Sequence, residues 1–333
     1  MKKSKNILQD NYGRTIEYLR LSVTDRCNLR CRYCMPASGV ETIDHADILS
    51  YEEMLRVVAV AIRCGVKKIR VTGGEPLVRK GIVEFIRDMS DLSKKIEITL
   101  TTNGILLADM AADLRKAGLS RVNVSLDTLR EDRFLEITRR AGLQKVIDGL
   151  HAAEAVGLTP LKINMVPIRG VNDDEIADFA RLTLDQPWEV RFIEFMPVSD
   201  GLDYTPDNMF PAADIIKALE NVGKLVSELR QGPAGPARMF HFPDSPGHIG
   251  VIPAVSEHFC GECNRMRITA DGRIRPCLFS TEEIDLRGAL RRNASDAELE
   301  AILRNAACAK PERHHIGEKD FRQGKRRMHG IGG

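Results

Sequence analysis

Apolar and polar residues alternate in six short runs that recur at regular intervals over the first 200 positions of the chain. The runs are "EYLRLSVT" (17–24), "KKIRVTGG" (67–74), "KIEITLTTN" (95–103), "SRVNVSLD" (120–127), "LKINMVPI" (161–168) and "VRFIEFMPV" (190–198). A period of two is the mark of a strand. Between the runs, apolar residues return every three or four positions over 51–63, 80–91, 107–116, 143–156 and 173–184, the spacing of amphipathic helices. Six β–α units in this order predict an α/β fold with a parallel sheet and right-handed crossovers.

Strand parity indicates the form of that sheet. Leu19, Leu21 and Val23 share one face of the first run, with Arg20 and Ser22 on the other. Arg70 and Thr72 oppose Ile69 and Val71, Asn123 and Ser125 oppose Val122 and Val124, and Lys162 and Asn164 oppose Leu161 and Ile163. Covering helices need the apolar face, so the polar set points inward. This predicts a partial (β/α)6 TIM-like barrel, and no nucleotide-type GxGxxG opens the first helix to favour a doubly wound sheet. After about residue 225 the pattern breaks. "RQGPAGPARMFHFPDSPGHIG" reads as irregular, and a second cysteine group, a polar helix near 295–307 and the basic tail "KRRMHGIGG" follow. The expected division is a core barrel over 1–228 and a C-terminal extension over 229–333.

Charge narrows the partners. Lys plus Arg is 49 and Asp plus Glu is 47, which argues against a bulk nucleic-acid binder, so positive charge must act locally. Met1 to Asp10 has lysines but no apolar run behind them, and no stretch approaches the roughly 18 apolar residues of a membrane span. A cytoplasmic protein with no membrane partner is expected. In such a setting eight cysteines point to metal or catalysis rather than disulfides. Cys64 and Cys308 stand alone and read as small buried hydrophobes.

The other six cysteines form two groups of three. In "SVTDRCNLRCRYCMP" (22–36), Cys27, Cys31 and Cys34 lie in one polar loop after the first strand. Iron–sulfur cubes usually take four thiolates, so three leave an iron open to bind something else. Core cysteines, or a zinc site completed from afar, are the other readings of this spacing. In "HFCGECNRMRITADGRIRPCLF" (258–279), Cys260, Cys263 and Cys277 flank an alternating run with Asp271-Gly272 at its turn. A two-residue loop there would set Ala270 opposite Arg273 and Met266 opposite Cys277, bringing Cys277 within roughly 10 Å of Cys263 along the strand. A structural Cys3His zinc site using His258 is the alternative.

Cx3CxxC after the first strand, with Tyr33 before the third cysteine, resembles the radical S-adenosylmethionine (SAM) superfamily, and "TGGEP" (72–76) after the second strand matches a further superfamily element. Two three-cysteine groups, the "CNRMR" segment (263–267) and the terminal Gly-Gly narrow the resemblance to the GTP 3′,8-cyclases of molybdenum cofactor biosynthesis. It runs from about Tyr18 to Gly333, with least support from 200–250. The resemblance implies two [4Fe–4S] clusters, on Cys27, Cys31 and Cys34 and on Cys260, Cys263 and Cys277. It implies SAM contacts from Tyr33, Gly74, Ser125 and Met196. GTP would be held by Arg20, Arg70, Thr101, Lys162, Arg265, Met266 and Arg267. Gly332 and Gly333 would enter the active site, although composition alone leaves the tail in solvent. It also implies an electron donor and, downstream, the cyclic pyranopterin monophosphate synthase, and it leaves a homodimer open.

The inward cations fit this reading independently. Unpaired cations inside a barrel are costly, and a triphosphate would answer them. An internal carboxylate such as Glu194 is the competing partner. Two other functions are weighed. A peptide-modifying radical SAM enzyme with an auxiliary cluster usually carries more C-terminal cysteines. An electron carrier or zinc scaffold gives the GGEP segment and the inward cations no purpose.

Overall fold

The computed structural model describes residues 7–198, 204–228, 235–257, 259–316, 318, 321, 324 and 326–332. Six parallel strands form its centre: β1 (Tyr18–Ser22), β2 (Lys68–Thr72), β3 (Glu97–Thr102), β4 (Arg121–Ser125), β5 (Lys162–Met165) and β6 (Glu189–Ile193). They lie side by side in sequence order. The crossovers carry α1 (Tyr51–Arg63), α2 (Ile82–Leu92), α3 (Leu107–Lys116), α4 (Glu131–Thr138) with α5 (Leu143–Ala155), and α6 (Ile176–Asp185). Consecutive parallel neighbours, each joined through a helix, are what the alternating sequence pattern dictates.

Local chemistry starts and orients these helices. In α1, Ser50 accepts from the Glu53 N–H while Glu53 accepts from the Ser50 N–H, a reciprocal capping box. Its buried face holds Met54, Val57, Val58 and Ala61, a 3–4 repeat packed on the sheet. Leu19, Leu21, Ile69, Val71, Val122, Val124 and Ile163 are all fully covered on the outer face. The inner face is therefore left to the polar residues of the same strands.

The C-terminal third extends both edges of this sheet. Helix α7 (Ala212–Glu220) leads to β7 (Val226–Ser227), β8 (Arg238–His241) and β9 (His248–Ile252). β9 pairs in parallel with β6, and β8 and β7 follow it antiparallel. At the opposite edge β10 (Arg265–Ile268) pairs in parallel with β1, followed antiparallel by β11 (Arg273–Arg275) and β12 (Ile284–Asp285). The order is β12-β11-β10-β1-β2-β3-β4-β5-β6-β9-β8-β7. Among the described residues β12 and β7 do not pair with each other, so the barrel is partial. Helices α8 (Arg287–Arg291), α9 (Asp296–Cys308) and α10 (Met328–Ile331) complete the chain.

Three features depart from the sequence pattern. The Gly- and Pro-rich stretch after 225 is not wholly irregular: "RMFH" and "HIGVI" are strands, with the Pro and Gly residues largely confined to the connections. The hairpin register differs by one residue, pairing Arg267 with Arg275 and Ile268 with Ile274. Gly272 alone in that turn has a positive φ, of 74°, and its N–H donates to the Thr269 carbonyl. The loop is thus three residues ending in a left-handed glycine, not a two-residue Asp-Gly turn. Cys308, at the end of α9, is exposed, whereas Cys64 is buried as expected. No described helix is long and apolar enough to cross a membrane.

Replacing Ser50 with Ala should lower stability by about 1 kcal/mol, seen as a lower denaturant midpoint at unchanged slope.

Candidate active site

The inner faces of the strands line one cavity of about 720 Å³, within the range of small-molecule sites. Register makes its wall continuous. Arg267, Arg20, Arg70 and Thr99 lie side by side across β10, β1, β2 and β3. Thr101, Asn123 and Lys162 continue the row across β3, β4 and β5, and Ser125, Asn164 and Arg191 form another. Among the described residues ten lysines and arginines line the cavity against four carboxylates, Glu17, Glu75, Glu97 and Asp127.

The carboxylates are largely committed. Glu97 pairs with Lys68 and Arg121, and Glu17 with Lys67. Glu189 pairs with Lys162 and Arg191. Glu194 is not the counter-charge: its oxygens accept from the N–H groups of Ala212, Val255 and Ser256 and from the Ser256 hydroxyl. Among the described residues Arg70, Arg265 and Arg267 have no carboxylate partner. Arg70 donates to the Tyr18 hydroxyl and, at 3.1 Å, to Thr101 Oγ1. Arg265 lies 5.0 Å over the Phe259 ring.

Burial, and after it crowding of like charge, shifts the ionisation of this wall. Burial pulls Arg20 down to about 10, with repulsion from Arg70 and Arg265 adding to it. Burial, with Arg20 and Arg265 alongside, brings Arg267 well below its usual range. Lys162 falls to about 7 through burial and Arg191, against the pull of Glu189. Burial opposes ionisation of Tyr18, but Arg70, Arg20, Lys68 and Arg265 overcome it and lower its hydroxyl to about 7. Each shift means that an incoming anion would be welcomed.

Two thiol groups stand at opposite ends of this wall. Cys27, Cys31 and Cys34 follow the C-terminal end of β1, and all three line the cavity. Cys260 and Cys263 precede β10, whose start is level with the start of β1. Cys277 comes back beside them after the antiparallel β11. The length of β1, about 15 Å, separates the two ends.

The first loop gathers its three thiols on one side of the cavity. The Leu29 N–H donates to Cys27 Sγ at 3.4 Å and Asn103 Nδ2 approaches it at 3.8 Å. Burial and mutual repulsion push Cys31 well up, and burial with Cys27 pushes Cys34 up to about 12. Iron bound by all three would remove that conflict. At the second group, burial raises Cys260. It also opposes the Cys263 thiolate, yet Arg265 and Lys310 bring that thiol down to about 6. Lys310 Nζ donates at 2.9 Å to the carbonyls of Arg265 and Pro276, and Arg14 donates to the Cys260 carbonyl at 2.6 Å. No three His, Cys, Asp or Glu side chains among the described residues converge on a single metal ion. Cluster ligands need not do so, because the cluster is larger than an ion. His258, the fourth ligand of the alternative zinc reading, lies outside the described residues.

The residues expected at a SAM site are brought together beside the first thiols. Tyr33, Gly74, Ser125 and Met196 all line the cavity, and Tyr33 donates to Asp127. The two glycines of "TGGEP" also line the cavity and have a packing purpose of their own. A Cβ on Gly73 would lie 2.7 Å from the Thr24 carbonyl oxygen, and one on Gly74 2.4 Å from that of Arg26. The glycines admit the backbone of the cysteine loop, fastened by Gly74 N–H to Thr24 O at 2.7 Å. Glu75 then accepts from Leu77 N–H, Thr102 and Asn103 N–H, and burial raises it to about 7.

Of the residues expected to meet a nucleotide, Arg20, Arg70, Thr101, Lys162, Arg265 and Arg267 line the cavity. Met266 does not. Its side chain is buried in the apolar core on the outer face, as the parity of β10 requires. Gly332 docks beside Ser22 and Thr72 and accepts from Arg267 Nη1 at 2.7 Å. Its φ of 79°, and the 2.5 Å that would separate a Cβ from Thr72 Oγ1, restrict the position to glycine. Gly333 lies outside the described residues. Tyr18, Lys68, Arg121 and Arg191 also line the wall. The same parity that marked Arg20 and Arg70 marks Tyr18 and Lys68.

Comparisons with known proteins agree with this geometry. Residues 21–183 match the radical SAM superfamily, and residues 188–316 match the Molybdenum Cofactor Synthesis C family. The chain is 52% identical over 307 residues to a GTP 3′,8-cyclase of Geobacter sulfurreducens, covering 92% of this chain and 94% of that protein. It is 48% identical over 329 residues to one from Pelotomaculum thermopropionicum, covering 98% and 100%. The fold is similar to that of Streptococcus suis SuiB bound to S-adenosylmethionine, with TM-score 0.58, 17% identity and coverage of 83% of this chain and 66% of that one. It is also similar to anSMEcpe with bound AdoMet, with TM-score 0.55, 15% identity and coverage of 89% and 81%.

In the iron-free protein labelled with [13C]tyrosine, the Tyr18 resonance should titrate near pH 7 rather than near 10. In Arg70→Gln its midpoint should move upward, because the largest stabilising charge is gone.

Proposed function

The chain belongs to the GTP 3′,8-cyclase family of the radical SAM superfamily, and on that premise we propose that it converts GTP to (8S)-3′,8-cyclo-7,8-dihydroguanosine 5′-triphosphate, the first step of molybdopterin formation. The observation that carries the reading is a single cavity with a cationic wall between two groups of three thiols. When bound, SAM on a reduced iron–sulfur cluster supplies a 5′-deoxyadenosyl radical able to take the C3′ hydrogen of the ribose and so permit closure onto C8 of guanine.

The protein's own part is to hold and to exclude. Cys27, Cys31 and Cys34 would hold the first [4Fe–4S] cluster and leave one iron open. Tyr33, Gly74, Ser125 and Met196 would hold SAM, with Asp127 fixing the Tyr33 ring through its hydroxyl. Arg20, Arg70, Lys162, Arg265 and Arg267, with Thr101, would grip the triphosphate. Their crowding favours this, because a polyanion relieves repulsion that the free wall must bear. Cys260, Cys263 and Cys277 would hold a second cluster at the far end of the wall, beside the base. Gly332 and Gly333 would close the reacting region, with Arg267 joining the tail to the phosphate wall. Residues 1–228 form the catalytic core in this reading and 229–333 the auxiliary region. An external electron donor and the cyclic pyranopterin monophosphate synthase are the partners.

The test is anaerobic. Protein reconstituted with iron and sulfide is given dithionite, SAM and GTP deuterated at C3′. Deuterated deoxyadenosine with a cyclised isomer of GTP is expected; deoxyadenosine without the isomer would refute GTP as substrate. Alanine at Cys27, Cys31 or Cys34 should abolish deoxyadenosine formation. Alanine at Cys260, Cys263 or Cys277 should leave some uncoupled SAM cleavage and stop cyclisation.

A further inference from the structure

We propose that Arg326 latches the C-terminal tail into the active site and is a positioning residue for the cyclisation, an inference that rests on the cyclase reading only where it concerns product. Arg326 stands six positions before Gly332. Its Nε donates to Glu283 Oε1 at 2.9 Å, and its Nη1 to Asp271 Oδ1 at 3.1 Å. Its Nη2 donates to Asp271 Oδ2 at 3.0 Å and to Glu283 Oε2 at 2.8 Å. A planar fork shared by two carboxylates is a task for arginine, which a lysine ammonium cannot reproduce.

The two carboxylates belong to the substructure that builds the site. Asp271 lies in the loop joining β10 to β11, and Glu283 directly precedes β12. β10 carries Arg267, which bonds the Gly332 carbonyl. One meander thus holds the tail twice, at Arg326 through the residues that flank its strands and at Gly332 through Arg267. Between these points α10 buries Ile331 and turns Met328 and His329 toward the cavity. A four-residue helix has no stability of its own, so its place depends on such anchors.

Removing the latch should not unfold the protein. Glu283 keeps Arg275 and Asp271 keeps Thr269, so neither carboxylate is left unpartnered. The experiment uses the reconstituted holoprotein and its Arg326→Gln, Arg326→Lys and Asp271→Asn variants. Deoxyadenosine should form from SAM at close to the unaltered rate in Arg326→Gln, while cyclised product falls about tenfold or more, with Arg326→Lys between. Without substrate, trypsin should cut after Arg327 about tenfold faster in Asp271→Asn, which keeps every basic site of the tail. Equal protection from trypsin, or unchanged product, overturns the latch. So does a parallel fall in deoxyadenosine and product with a lower melting temperature, which would make Arg326 a stabilising residue only. If the unaltered protein cleaves SAM but makes no product from GTP, the cyclase reading fails, and trypsin alone decides the latch.

Discussion

Crowding of positive charge on one face of a parallel sheet is the constraint on which the rest of this structure depends. The outer face must be apolar to receive the helices, so every cation of strands β1 to β6 is driven to the inner face. There the carboxylates of Glu97 and Glu189 answer only Lys68, Arg121, Lys162 and Arg191. Arg70 falls back on the Tyr18 hydroxyl, which Arg70 and Arg20 hold close to ionisation at neutral pH. A wall in this state is costly to the fold and ready for a polyanion.

The two thiol groups differ in their electrostatic settings. The first is buried among groups that repel its thiolates, and its ordering comes from backbone contacts with the GGEP segment and with the end of α4, where Arg30 and Arg32 N–H groups donate to Thr138 and Ile137. The second lies beside Arg265 and Lys310, and its carbonyls are tied down by Lys310 and Arg14. The second end of the cavity is therefore richer in compensating charge than the first, where Arg30 and Arg327 oppose burial only weakly. The tail reaches the first group through His329, in contact with Cys34, and is tied to the cationic wall by Gly332, bonded to Arg267.

Much of this was legible beforehand because a period of two leaves little freedom. Once Leu19 and Leu21 face the helices, Arg20 has one direction left. The same rule applied to β10 would have turned Met266 away from the cavity; the family resemblance had included it with its neighbours. The strands after 225 were hidden by the glycines and prolines between them. The hairpin register was lost to one residue of turn geometry, since Asp-Gly serves a two-residue or a three-residue loop equally well until backbone twist selects. Nothing local in "KRRMHGIGG" marks Gly330, Ile331 and Gly332 as buried, since the tail's anchors lie more than forty positions away.

The sequence by itself determined the β–α order, the polar inner face, the two groups of three cysteines and the chemistry those groups imply, because periodicity and ligand spacing are local properties. Tertiary structure decided which charges are already answered, that both cysteine groups open on one cavity from opposite ends, and that the tail returns to it. Those outcomes depend on β10 finding β1 and on Arg326 finding Asp271 and Glu283, pairings between distant segments that no local pattern encodes.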